Sequence, residues 1–446
     1  MSRPGLKHCE GPLEVQSASL GAVNPSEFLS SIFGATGAAP VSSNLSAQHL
    51  PFQRWMKFKE AFSPRFVADV LNSLDYRPTH CIDPFGGSGT TAFSCALLGV
   101  DSTTIEVNPF LVDVIRAKTS SIRAAELKVA YDGVLRNSKQ VRVSPEAALA
   151  SGPQSLVEPG IGGRFVFWRD AIERILSLRN AIALTEASEN ARLTLMVLLG
   201  SILVEASNVV VNGKGRRYRQ AWQGRKVGAV DVDRLFLEAV LRCIEDLVAA
   251  EDCRRARVSV MSGDSRRLIQ HARPADIAIF SPPYPNSFDY TDVYNLELWV
   301  LGYLTSADAN RALRRMTLRS HVQLGFDPGA PVKSLVLSRA LEELTRVRDR
   351  LWDNRIPAMI LAYFDDIRTI LILLREKLIP GSRVFMIIGD SRYAGVYIDV
   401  AATIIDILSE TGYRLHSRKN LRSMRSSAQH GGSYELAETC LVLHRV

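Results

Sequence analysis

The segment His80 to Thr91, reading His-Cys-Ile-Asp-Pro-Phe-Gly-Gly-Ser-Gly-Thr-Thr, constrains the fold more than any other stretch of this 446-residue chain. His80-Cys81-Ile82 predicts a short buried strand that runs directly into a glycine-rich turn. Beyond the turn, Ala92 to Leu98 reads as a helix closed by Gly99, since helices often end on a left-handed residue. Thr103 to Val107 then reads as a second strand and carries an acid, Glu106. Strand, turn, helix and strand make a β-α-β unit, the seed of a parallel sheet. Glycines after a strand let a ligand approach the backbone, and the helix behind them offers unpaired N–H groups. With Glu106 placed to accept hydrogen bonds from ribose hydroxyls, the unit suits an adenosine-containing cofactor. The glycines alone would equally suit an ordinary turn. No lysine follows them, which disfavours a nucleoside triphosphatase, and their spacing departs from the GxGxxG of nicotinamide-binding proteins.

Further strands are expected at Arg257–Met261, Ala275–Phe280, Arg383–Ile388, Tyr413–Ser417 and Thr439–His444, seven in all, the last two forming a terminal hairpin. A long helical stretch lies from about 333 to 378, and Phe62 to Leu71 predicts a helix with Ser63 as N-cap and Pro64 in the first turn. The alternation breaks between 120 and 255, where apolar residues from Phe165 to Val210 recur at helical spacing. Residues 1 to 50, rich in Ser, Ala and Gly, read as an extended or partly ordered arm.

The second chemical motif is Ser281-Pro282-Pro283-Tyr284, at the end of the apolar strand Ala275–Phe280. Two prolines stiffen the backbone and remove two N–H donors, leaving carbonyls as acceptors. Ser281 adds a side-chain acceptor and Tyr284 a flat ring. Such a corner can accept both hydrogens of an exocyclic base amine while the ring stacks on the base. Alone it would read as a tight turn. Here it lies at the C-terminal end of a strand, where open α/β sheets bind ligands.

Asp-Pro-Phe-Gly-Gly-Ser-Gly-Thr-Thr (83–91) with Ser-Pro-Pro-Tyr (281–284) resembles the S-adenosylmethionine-dependent amino-group DNA methyltransferases, and the serine-first tetrapeptide resembles their N4-cytosine type. The likeness covers most of 52–445, less closely across 120–255. It implies a Rossmann-like class I methyltransferase fold with a seven-stranded mixed sheet, an antiparallel final strand and a mainly helical insertion. It also implies roles. Asp83, Pro84, Phe85, Gly86, Gly87, Ser88, Gly89 and Thr90 would hold the methionine part of the cofactor. Glu106 and Asn108, in Glu-Val-Asn-Pro, would hold the ribose, and Asp264 would meet the adenine amine. Lys59 and Phe62, in Phe58-Lys-Glu-Ala-Phe-Ser63, would close over the methionine carboxylate. Ser281, Pro282, Pro283 and Tyr284 would bind a flipped target base for direct in-line methyl transfer, with no covalent base adduct and no metal. An N6-adenine enzyme, an RNA amino-methyltransferase and an inactive nucleic-acid-binding subunit remain alternatives. The two motifs lie about 190 residues apart, with the extra mass between the second and third strands, unlike the family's usual arrangements.

Contacts to nucleic acid are expected from the basic run 212–226, through Lys214, Arg216, Arg217, Tyr218 and Arg219, and from Arg319 and His321 after the catalytic turn. A net charge of +8 permits an anionic partner. The expected organisation is an N-terminal arm at 1–50, a methyltransferase domain from 51–119 and 256–446, and a helical insertion at 120–255 that contacts DNA. A cognate restriction or defence system is an expected partner. The six scattered cysteines form no CxxC pair and no Pro-Cys nucleophile turn, which argues against a zinc cluster and against C5-cytosine chemistry. The longest apolar stretch, Leu193 to Val204, is well short of the roughly 20 residues that span a bilayer. The expected location is cytoplasmic and nucleoid-associated.

Overall fold

In a computed structural model of the chain, the described residues are 24–34, 49–58, 61–212, 215–286, 288–323, 327, 329–425 and 435–446. Lys59, Lys214 and most of the expected N-terminal arm lie outside them.

Seven strands form the central sheet: β1 (His80–Asp83), β2 (Asp101–Glu106), β3 (Val258–Ser262), β4 (Ala275–Phe280), β5 (Leu378–Gly389), β6 (Tyr413–Arg425) and β7 (Glu435–Arg445). Their order is β3-β2-β1-β4-β5-β7-β6. The first five pair in parallel, and β7 runs antiparallel between β5 and β6. This is an α/β, Rossmann-like class I methyltransferase fold. β4 shows why the centre is buried on both faces. Ile277 and Ile279 join a core with Phe66 and Val67, whereas Ala278 and Phe280 join the opposite core with Ile360 and Phe364. Successive side chains of a strand point to opposite faces, so a continuous apolar run needs cover on both. Helices Pro64–Asn72 and Ile356–Lys377 supply that cover.

Between β2 and β3 lie five long helices, Pro109–Thr119, Ala124–Ser138, Arg169–Leu184, Glu189–Ser201 and Ala229–Ala249. Their core is continuous with the sheet domain through Phe93 and Trp299. Two segments hold elements that the sequence reading did not assign. Pro25–Phe33 is a helix within the arm expected to be extended or partly ordered. Asn24 caps it, Pro25 fits the first turn, and Phe28 and Ile32, one helical turn apart, are buried. The basic run, to which the sequence reading assigned no element, begins in an antiparallel pair, Val209–Asn212 with Gly215–Tyr218. Among the described residues no helix is long and apolar enough to cross a membrane.

One buried acid ties the segment before β1 to the inserted helices. Asp246 accepts hydrogen bonds from Phe52 N (2.7 Å) and Trp55 Nε1 (2.8 Å) and pairs with Arg54 at 2.6 Å. These bonds hold Phe52 in a left-handed backbone conformation (φ 62°). Asp246→Ala would strand two donors and a guanidinium at once. We expect a loss of about 3 kcal/mol, the size seen when one partner of a buried ion pair is removed, read from urea unfolding.

Candidate active site

The sheet order reverses between β1 and β4, and in open α/β sheets that point leaves a crevice at the strands' C-terminal ends. The turns after these two strands therefore meet. One cavity is lined by Asp83, Gly86 and Gly87 from the first turn and by Ser281 and Pro283 from the second. Pro84, Phe85, Ser88 and Thr90 also line it, as do Glu106, Asn108 and Asp264. Gly89 sits behind the turn in the left-handed region (φ 81°), 2.9 Å from Ile115 at an imagined Cβ.

The first turn is shaped by close approach. A Cβ on Gly86 would stand 2.5 Å from Thr104 Oγ1, and one on Gly87 would stand 3.0 Å from the Phe58 ring. Glu106 braces the turn by accepting from Gly87 N (2.7 Å) and Asn108 N (2.8 Å). Asn108 caps helix Pro109–Thr119 through its carbonyl oxygen, at 3.0 Å from Phe110 N. Asp83 accepts from Phe85 N at 2.9 Å. Behind the turn, Lys118 is 1% exposed and donates to Ser88 O at 2.9 Å. Burial pushes the Asp83 and Glu106 carboxyls up to about 7, outweighing the backbone N–H groups that favour their charged forms.

Asp264 is gripped by Arg266 at 2.8 Å, and Arg266 reaches Asp366 at 2.9 Å. Asp366 also takes Arg319 at 2.6 Å, and Arg319 pairs with Asp365 at 2.9 Å. The structure thus commits Arg319 to internal acids rather than presenting it to a phosphate. His321 lines the same cavity as the glycine turn, with Nε2 3.1 Å from Thr317 Oγ1. In the hairpin run, Arg219 donates to the carbonyls of Ser207 and Val204, and Tyr218 packs against Trp222, 5.3 Å between centroids. Arg216 is half-buried near Asn295, at 3.4 Å, whereas Arg217 is exposed. Within this run Trp222 is buried and Arg216, Tyr218 and Arg219 are half-buried, their stems packed on apolar neighbours, whereas Gln220, Ala221 and Gln223 to Lys226 are exposed.

The second turn is held from the far edge of the sheet. Tyr284 OH donates to Glu438 Oε1 at 3.0 Å, and Arg422 grips Glu438 with Nε at 2.6 Å and Nη2 at 2.9 Å. Ser281 Oγ stands 3.5 Å from Tyr284 OH. A Cβ on Gly389 would fall 2.5 Å from the Tyr284 ring, so this glycine at the end of β5 makes room for it. Pro282 and Tyr284 belong to the turn but are not among the described residues lining the cavity. Sequence reasoning missed Glu438 and its pairing with Arg422. Their pairing depends on β6 continuing to Arg425, past the Ser417 end that was expected. Phe62 lines the cavity, and so does Phe58, whose ring stacks on Tyr294 at 5.7 Å with planes 5° apart.

No family model matches the chain. It is 24% identical over 408 residues to the Type II methyltransferase M.AvaI of Nostoc sp., a match covering 82% of this chain and 80% of that protein. It is also 24% identical over 429 residues to the Type II methyltransferase M.BsoBI of Geobacillus stearothermophilus, covering 85% and 82%. Among solved structures it overlays on TrmN from Thermus thermophilus with TM-score 0.29 and 11% identity, over 86% of this chain and 49% of that one. The rRNA methyltransferase aviRa from Streptomyces viridochromogenes gives TM-score 0.32 and 10% identity, over 86% and 85%. Overlays this loose carry no functional weight, and the fold rests on the strand order.

S-adenosylmethionine is the methyl donor that this fold and these relatives imply. The cavity fits it chemically. Ser88 Oγ, Thr90 Oγ1 and Asn108 Nδ2 are buried without a hydrogen-bond partner, and buried polar groups are rarely left so. The glycines leave backbone exposed to a ligand, and two carboxyls face a space that would receive a cation and hydroxyls.

Two outcomes are expected. Gly86→Ala should weaken S-adenosylmethionine binding at least tenfold by calorimetry, about 1.4 kcal/mol, because the new methyl displaces Thr104 or the turn itself. Ionised carboxylates accept ribose hydroxyls better than protonated ones, so cofactor affinity should rise about tenfold from pH 6 to 8 and flatten in Glu106→Gln. The ligand-free chain should behave oppositely. With folded values raised above the usual 3.8 and 4.5, it binds more protons folded than unfolded, so its stability falls as pH rises towards 7.

Proposed function

We propose that this chain is a site-specific DNA methyltransferase that transfers the methyl group of S-adenosylmethionine to the N4 amine of cytosine in a flipped base. The observation that carries the reading is the single cavity lined by both Gly86 and Pro283, residues from turns far apart in the chain. The Type II names of the two relatives support DNA as the acceptor, and a cognate restriction nuclease as a partner.

The cofactor supplies a methyl group already activated on a sulfonium sulfur, so the protein's work is alignment and exclusion of water. Ser281 Oγ lines the cavity and accepts one amine hydrogen, and the proline-flanked carbonyls of the turn take the other. Held this way, the nitrogen lone pair is aimed along the transfer line. The Tyr284 ring supports the base, and its hydroxyl is fixed by Glu438, which Arg422 neutralises. Glu106 and Asp264 orient the donor side. His321 is disfavoured as a base, since burial holds its imidazole below its usual pKa and an amine losing its proton after transfer needs no strong base.

The deciding measurement is labelled-methyl transfer to methylation-free duplex DNA followed by nucleoside analysis. N4-methylcytosine is expected; N6-methyladenine alone would overturn the cytosine assignment and keep the class, and label in tRNA but not DNA would overturn the acceptor. Ser281→Ala should slow transfer by about 10²-fold with cofactor affinity kept, as removal of one positioned polar contact does. Tyr284→Ala should also slow it, and Glu438→Ala should reproduce part of that loss while Glu438→Gln, which keeps an acceptor for the phenol, restores most of the rate.

A further inference from the structure

A second cavity, about 580 Å³, opens beside the first, in the size range of small-ligand sites. The two share a wall. Phe58 lines the cofactor cavity, and the Tyr294 ring on which it stacks lines the second. Thr291 faces the first space and Val293 the second, so one short segment after the catalytic turn borders both. The opposite bank comes from the helical insertion.

The lining combines cations with flat rings. Lys57, Arg219, Arg225 and Arg242 line it, with Trp55 and Tyr294 in its wall, each 3% exposed and with one ring face stacked on Phe52 or Phe58. Arg219 is tied to Val204 O at 2.8 Å and Arg225 to Glu205 O at 2.9 Å. Carbonyls hold both guanidinium groups in place, and the Glu205 carboxylate on the same wall offsets part of the Arg219 charge. Arg54, by contrast, is spent on Asp246 and Glu245. At the back stands Glu297, 1% exposed, with Oε2 lacking any hydrogen-bond partner. A buried, unpartnered carboxyl oxygen in a polar cavity points to a ligand group that would complete it. Burial pushes this carboxyl up to about 7 despite the Arg216 charge, so near neutrality it can donate or accept.

We propose that this cavity holds an unpaired nucleotide of the DNA strand next to the one being methylated, with its phosphate on Lys57 and the arginines, its base against Trp55 or Tyr294, and its polar edge on Glu297. Basic grooves with aromatic platforms are how proteins hold single-stranded nucleic acid. The inference rests on the DNA methyltransferase reading and names the insertion face that takes the strand. Of the expected basic run 212–226, it keeps Arg219 and Arg225, which line this cleft.

The test has two arms. In the Lys57→Ala/Arg242→Ala double variant, the slope of log affinity against log salt for a methylation-free plasmid should fall by about 2, and affinity by about tenfold, while cofactor affinity is kept as a check on folding. Wild-type protein bound to 5-iododeoxyuridine-substituted DNA should photo-crosslink within the peptides carrying Trp55 or Tyr294. An unchanged slope in a cofactor-binding variant, or crosslinks confined to other peptides, overturns the proposal. Should the variant not fold, the wild-type crosslink decides alone. Methyl transfer to DNA without crosslinks here sinks this cavity and spares the enzyme reading; crosslinks here without methyl transfer to any acceptor do the reverse.

Discussion

The chemistry of this chain depends on the parallel pairing of β1 with β4, in which Cys81 lies opposite Ile277 and Ile82 opposite Ala278. Parallel neighbours end at the same rim, so the turns that follow them arrive together although about 190 residues separate them. The crossover helices leave these strands towards opposite faces, and a crevice opens between. The pairing is further pinned where Thr91, at the start of the helix after the first turn, donates to Ile279 O at 3.3 Å. A different partner for β1 would leave both motifs intact and the cavity absent.

Around the crevice, charge is managed by internal pairing. Asp264, Arg266, Asp366, Arg319 and Asp365 form one chain of ion pairs that runs from the cavity wall to helix Ile356–Lys377. Pairs this far from water return little net stability for the desolvation they suffer, but each fixes its neighbour's position. The Tyr284–Glu438–Arg422 series does the same on the opposite side, carried by the β6–β7 ribbon. Both serve a reaction that needs alignment more than acid–base power.

The inserted helices are not a separate appendage. Their core runs through Phe52 and Phe93 into the sheet domain, and Asp246 ties the chain before β1 to helix Ala229–Ala249. That tie sets the position of Phe58, which packs over Gly87, lines the cofactor cavity and stacks on Tyr294 in the wall of the second. The insertion therefore shapes the wall of the cofactor site as well as the basic cleft.

What the sequence by itself determined was local. The glycine turn, the Ser-Pro-Pro-Tyr corner and the apolar runs of β1 and β4 are contiguous patterns, whose strand period and turn chemistry can be read without knowing any neighbour. Seven strands and a helical block between the second and third were legible for the same reason. Tertiary structure alone decided which polar groups meet. Glu438 joins Tyr284 across 154 positions of chain, and Lys118 reaches Ser88 from the next helix. Arg319 turns inward because aspartates from a distant helix wait there, Arg219 because carbonyls at the end of the preceding helical stretch do, and Asn24 with Phe28 makes a helix of a stretch whose composition suggested none. A charged side chain reads the same in sequence whether it faces solvent, a carboxylate or a ligand; only the packed neighbours supply the field that distinguishes these.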